Sequence, residues 1–168
     1  MRHLTLTTSA ESATQACGRV LADALAAGDV LLLSGDLGAG KTQLTKGLAE
    51  GLGVPEPVTS PTFNILLVHQ GRIPLYHFDL YRLEAAEQLE DLDYYAVLEG
   101  DGVAVVEWGD RFAEAAPLNG VAVTLTIDGD NERSIGADAL GPRGEALLEA
   151  WAAACSTLDG VSVTEGDR

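Results

Sequence analysis

Apolar positions along this chain change period several times, and each change marks an element. Leu4-Thr5-Leu6-Thr7 alternates apolar and polar, which predicts a short strand with one buried face. Thr8 followed three positions later by Glu11 reads as a capping box, and Val20, Leu21, Ala24 and Leu25 then carry a helix towards Gly28. Val30-Leu31-Leu32-Leu33 is apolar without a break, as in a strand covered on both faces. Helical spacing returns at Leu44, Leu48 and Leu52 and stops near Gly51 or Gly53, with Pro55 and Pro57 beyond.

The runs 65–68 and 73–78 flank Gln70-Gly71-Arg72, a link short enough to permit only an antiparallel hairpin. Residues 84–95 predict an acidic helix with Leu89 and Leu92 inward, and Val103 to Val106 a second buried strand. Val121 to Ile127 alternates, Asp128-Gly129-Asp130-Asn131 is a turn, and Arg133 to Ile135 begins the return strand. A last helix over 140–153 is entered at Pro142, and the small polar residues from Ser156 onward predict a frayed tail. Strands alternating with helices, plus one hairpin, predict an α/β three-layer sandwich with a mixed, mostly parallel central sheet. The expected organisation is one domain over 1–155 and a flexible C-terminal tail over 156–168, without internal repeat or linker.

The chemistry enters where the first buried strand meets the helix. Gly35-Asp36-Leu37-Gly38-Ala39-Gly40-Lys41-Thr42 fits G-x-x-x-x-G-K-[ST] in its required strand–loop–helix context. Glycines let successive N–H groups point inward, and the helix start adds its positive end, so the loop is suited to cradle a polyphosphate. Lys41 is placed to reach the β- and γ-phosphates and the Thr42 hydroxyl to ligate Mg²⁺, as in phosphate-loop nucleotide-binding proteins. Asp79 and Glu107 each end an apolar strand, which is one way to present a carboxylate to a metal beside such a loop. Pro61 keeps Ser60 out of a helix, so Ser60 and Thr62 sit on an extended segment; a γ-phosphate switch and a hydroxyl-rich turn both fit. His77, a lone histidine on a strand, reads as structural.

Composition narrows the partners. In 168 residues, 10 basic side chains face 26 acidic ones for a net charge of −16, too little positive charge for a basic nucleic-acid grip. Any nucleic acid in its pathway is then expected on a partner. Cys17 and Cys155 lack metal spacing or a disulfide framework and are expected as buried free thiols. The chain shows no signal-like start and no apolar run near 18 residues, which predicts a soluble cytoplasmic protein.

Four stretches in order, the loop at 35–42, Ser-Pro-Thr-Phe at 60–63, His-Phe-Asp-Leu-Tyr-Arg at 77–82 and Glu-Trp at 107–108, resemble the bacterial TsaE (YjeE) family. The resemblance runs from the first helix to the last hairpin. It implies a P-loop NTPase-like fold and a protein of tRNA threonylcarbamoyladenosine biosynthesis. It implies ATP or ADP with Mg²⁺, weak intrinsic ATP hydrolysis, and action on the threonylcarbamoyl transferase subunit and its paralogous partner, with tRNA met only indirectly. Carried over position by position, Thr42 and Glu107 look like metal ligands, the latter directly or through water. Leu37, Gly38, Ala39, Gly40 and Lys41 look like the phosphate cradle. Thr62 matches the switch hydroxyl and Asp79 an acid needed for hydrolysis; Glu11, Trp108 and Arg133 match positions near the nucleotide, although Trp108 fits a core residue equally well. A nucleotide-dependent assembly factor without turnover needs the same cradle and stays open. A small-molecule kinase is less well matched, for no basic cluster follows residue 111 to form a lid. A GTPase is disfavoured by the lack of an Asn-Lys-x-Asp motif.

Overall fold

The unbroken apolar runs become strands because both of their faces are covered. In a computed structural model describing residues 2–36, 38–59 and 64–167, Val30–Gly35 forms β2 and Val103–Glu107 forms β5. Leu31, Leu33, Val103 and Val105 enter one hydrophobic cluster, and Val30, Leu32, Ala104 and Val106 enter a second on the opposite face. The first cluster lies under α1 (Glu11–Ala22), α2 (Lys41–Gly51) and α5 (Gly141–Cys155). The second is closed by two short helices, α3 (Gln88–Asp91) and α4 (Tyr94–Leu98), and by Ala115. Helices on both faces of one sheet give the three layers expected. Each fully buried leucine among them contributes about 1.5–3 kcal/mol.

The remaining strands are β1 (Arg2–Thr8), β3 (Leu66–Gln70), β4 (Pro74–Asp79), β6 (Gly120–Ile127), β7 (Arg133–Leu140) and β8 (Val161–Asp167). Their order across the sheet is β3-β4-β5-β2-β6-β7-β1-β8. The centre, β4-β5-β2-β6, is parallel, and the expected hairpin puts β3 antiparallel on one edge. The sheet is therefore mixed, but it is not mostly parallel. The pairs β6–β7, β7–β1 and β1–β8 are also antiparallel, because a tight turn returns β7 beside β6 and both chain ends add to that side.

Three local expectations change. Residues 161–167 are no frayed tail: Val161 to Asp167 pair with β1 along its whole length, and Val161 and Val163 pack on the first cluster. The open edge of β1 supplies the hydrogen bonds that composition could not reveal. Thr8 does not cap α1; strand pairing holds it, its hydroxyl lies 2.8 Å from that of Thr14, and Ala10 is the cap residue. The acidic stretch is two short helices broken at Asp93, which has φ 54°. That break turns Tyr94 inward, where its hydroxyl donates to the Ala115 carbonyl at 2.8 Å and its ring meets Phe78 edge-on at 5.1 Å. Leu89 is buried as expected, while Leu92 is only partly covered.

Cys17 and Cys155 are buried free thiols. A hydrogen bond between the two and their burial push the Cys155 thiol above its ordinary range. Asp29, at the foot of β2, accepts from Arg143 Nε at 2.8 Å and Nη2 at 2.7 Å, tying α5 to the sheet. Among the described residues no helix is long and apolar enough to cross a membrane.

The contact that aims the loop is between helices. A methyl group on Gly18 of α1 would lie 2.2 Å from the Leu44 carbonyl oxygen, and one on Gly47 of α2 would lie 1.8 Å from that of Gln15. Backbone therefore rests on backbone where α1 crosses α2, and neither helix can accept even a Cβ. Gly47→Ala is expected to lower unfolding free energy by about 1–3 kcal/mol, the cost of overpacking a filled contact. Urea denaturation measures this directly; an unchanged midpoint and slope would mean that the helices do not approach so closely.

Candidate functional site

Parallel pairing brings three strand ends to one edge. Glu107 is in register with Leu33 of β2 on one side and with Asp79 of β4 on the other. At that edge β2 runs into the glycine-rich loop and the loop into α2, the crevice where open α/β sheets bind ligands. Gly40 is the residue before α2 and has φ 106°, a left-handed conformation that admits glycine and delivers Lys41 directly into the first turn. The N–H groups of that turn have no acceptor within the helix. Leu37 and the 60–63 segment, with Ser60 and Thr62, lie outside the described residues.

A cavity of about 580 Å³ opens there. Its floor is Gly38, Gly40, Lys41, Thr42 and Gln43 of the loop and α2, and its walls include Asp79, Glu107, Tyr81 and Trp108. Glu11 and Asp36 complete the rim. Of the residues anticipated from sequence, Glu11, Gly38, Gly40, Lys41, Thr42, Asp79, Glu107 and Trp108 thus meet around one volume. Ala39 is buried behind the loop, its N–H donating to the Asp36 carbonyl at 3.0 Å. Arg133 does not line the cavity. Its Nη1 donates to the Gly129 and Glu132 carbonyls, each at 2.8 Å, and its Nη2 to the Gly38 carbonyl at 3.2 Å, so it braces the loop from the hairpin.

Lys41 is held across the cavity. Its Nζ donates to the Gly35 carbonyl at 2.6 Å and stands 4.5 Å from the centre of the Trp108 ring. Trp108 can take that place because its backbone is left-handed, with φ 62°, and its N–H donates to Leu33 across the strands at 3.2 Å. It is a wall of the cavity and also packs against the second hydrophobic cluster, half-buried and tilted against Tyr81 with ring centres 5.0 Å apart. Tyr81 was not anticipated as a site residue; its signal is its place two positions after Asp79. A second pair, Gln15 Nε2 to Gln43 Oε1 at 2.6 Å, joins α1 to α2 beside the loop.

The two acids differ in setting. Asp79 is half-buried and accepts from the Tyr81 backbone N–H at 3.0 Å. Burial raises its carboxyl above the ordinary range, the Tyr81 N–H opposes this, and the charge of Glu107 raises it further. Glu107 is 3% exposed and its Oε2 lies 2.6 Å from Nε2 of His77, which is wholly buried. A lone histidine on a strand gives no signal in the sequence for this contact. Among the described residues no group of three or more His, Cys, Asp and Glu side chains could cage a metal ion. What the cavity does offer a cation is a hydroxyl at Thr42 and a carboxylate at Glu107, both hard oxygen donors.

The family profile for threonylcarbamoyl adenosine biosynthesis protein TsaE matches residues 8–135. A tRNA threonylcarbamoyladenosine biosynthesis protein TsaE from Bacillus subtilis is 43% identical over 150 residues, covering 89% of this chain and 94% of the relative. The protein of the same name from Treponema pallidum is 45% identical over 118 residues, covering 70% of this chain and 87% of its own length. The crystal structure of Bacillus subtilis YdiB superposes with a TM-score of 0.76 at 37% identity, covering 90% of this chain and 95% of that one. Since the matched span contains every strand end, loop and helix start that builds the cavity, the chain belongs to the TsaE family of tRNA threonylcarbamoyladenosine biosynthesis proteins.

Proposed function

We propose that this protein binds ATP or ADP with Mg²⁺ in the 580 Å³ cavity and hydrolyses ATP weakly by itself. In the cell it acts on the threonylcarbamoyl transferase subunit and its paralogous partner, which modify adenosine 37 of tRNAs. The observation that carries the nucleotide reading is the joint placement of Lys41 and Thr42 at the start of α2, facing Asp79 and Glu107 across one cavity. Charge supports the metal. Among the described residues, Glu11, Asp36, Asp79 and Glu107 share the cavity lining with one lysine, Lys41, so a bare triphosphate would meet net negative charge. A divalent cation offsets that repulsion, and Mg²⁺ suits a site with few protein ligands because it draws the rest from water and phosphate.

The cavity's own residues divide the work. The loop amides, the α2 N-terminus and Lys41 hold the phosphates and offset charge that develops on the γ-phosphoryl group. Lys41 leaves the Gly35 carbonyl and the Trp108 face to do so. Thr42 and Glu107 would hold a magnesium ion, which would supply neutralisation of the phosphate charge. Asp79, with one oxygen on the Tyr81 N–H, orients the attacking water or the water shell of the metal. Among the described residues, the exposed Tyr81 and the mouth of the cavity leave one side open, consistent with completion by a partner.

Three outcomes follow. Lys41→Ala is expected to abolish ADP binding in isothermal calorimetry; retained affinity would undo the assignment of the loop. Asp79→Asn should bind ADP as the wild type does yet lose about 10²-fold or more of the ATPase rate of the assembled complex. A wild-type rate there would remove Asp79 from the reaction. Adding the transferase and its paralogue should stimulate hydrolysis above the isolated protein's rate, and an ATPase assay with each partner omitted in turn reads this. If no combination stimulates turnover, nucleotide binding alone, without hydrolysis, is the function left to the cavity.

A further inference from the structure

His77 is fully buried in the middle of β4, on the strand face that also carries Leu75 and Asp79. Its cross-strand partner is Val105, so Glu107 is its diagonal neighbour on the same face, two residues nearer the cavity. A side chain needed only to fill that place would be apolar, like Leu75 and Val105 beside it. Here instead an imidazole is enclosed with one nitrogen bonded and the other, Nδ1, without a hydrogen-bond partner among the described residues. Leaving a buried polar atom unsatisfied has a cost, and the one bond gained is the 2.6 Å contact to Glu107 Oε2.

The unsatisfied atom also favours one direction for that bond. A proton on Nδ1 would be an orphan donor in the core, so the proton belongs on Nε2, and Nδ1 keeps a lone pair. The ring then donates from Nε2 to Glu107 Oε2. Glu107, 3% exposed, thus has Oε2 engaged from beneath while it lines the cavity.

We infer that His77 is a positioning residue: from beneath the sheet edge it locks the Glu107 carboxylate in the orientation that receives the magnesium ion of the bound nucleotide. This rests on the magnesium reading given above. It differs from a packing role in what it demands, namely a donor at the Nε2 position and not merely a filled volume. Outer partners that orient a ligating carboxylate are commonly worth about 10–100-fold in metal affinity.

The test separates reach from bulk. A glutamine at 77 can set an amide N–H near the place of Nε2, whereas an asparagine ends near the place of Nδ1, and leucine fills the volume with no donor. ADP affinity is measured by calorimetry in EDTA and in Mg²⁺ for wild type, His77→Gln, His77→Asn and His77→Leu, with thermal melts reporting the fold. The expected result is similar affinity in EDTA throughout. The gain in affinity from Mg²⁺ should be kept in His77→Gln and fall about tenfold in His77→Asn and His77→Leu. A magnesium gain unchanged in whichever donor-less variant folds would overturn the inference, as would its equal loss in His77→Gln. If the wild type itself shows no magnesium gain, the metal reading fails and this inference fails with it.

Discussion

Register between parallel strands is the constraint on which this molecule's chemistry depends. β4, β5 and β2 are aligned so that Asp79, Glu107 and the end of the Leu31–Leu33 run reach the same edge. Side chains alternate between faces with period two, so a slip of one residue in β5 would send Glu107 towards the second hydrophobic cluster and Val106 towards the cavity. No single hydrogen bond prevents that slip. It is opposed by burial on both faces, where Leu31, Leu33, Val103 and Val105 belong to one cluster and Val30, Leu32, Ala104 and Val106 to the other. A shift would misplace every one of these residues at once.

The glycine-rich loop inherits its position from that register and is then fixed on further sides. β2 feeds it, and α2 leaves it with its backbone pressed on α1 through Gly18 and Gly47. Arg133 donates to Gly38 from the β6–β7 hairpin. The antiparallel half of the sheet, including β8 at its edge, therefore does more than extend the core, because it carries the hairpin that braces the loop. Trp108 closes the remaining side in a left-handed conformation that tryptophan seldom adopts, a local strain of the kind that clusters at functional sites. Its interstrand hydrogen bond to Leu33 and its contacts with Tyr81 and Lys41 over-determine that geometry.

Charge gives the site its second character. The chain as a whole is strongly acidic, and the cavity repeats that bias around one lysine. On the proposed reading, four acids beside the glycine-rich loop suit an anion that arrives with a divalent cation. The same logic separates the two inner acids. Asp79, half-buried and beside Glu107, is raised towards protonation by burial, whereas Glu107 is enclosed with a hydrogen-bond donor of its own.

Much of this was legible in the residues taken in order. The strand–loop–helix at 30–52, the hairpin around Gly71 and the acids closing two apolar runs all carry their own local signals, since backbone preference and period-two or helical spacing are properties of neighbours in sequence. The sequence by itself determined the glycine-rich loop, the helix behind it and which carboxylates could face it. It misjudged what depends on distant pairing: β8 exists because β1 offers an open edge, Thr8 is claimed by a sheet instead of a helix cap, and the antiparallel pairs outnumber the parallel ones. The tertiary structure alone decided that His77, 30 residues from Glu107, should stand 2.6 Å from it, and that Trp108, packed on the second cluster, should also face Lys41. Those relations are set by register across strands, and no spacing along the chain encodes a distance measured across a sheet.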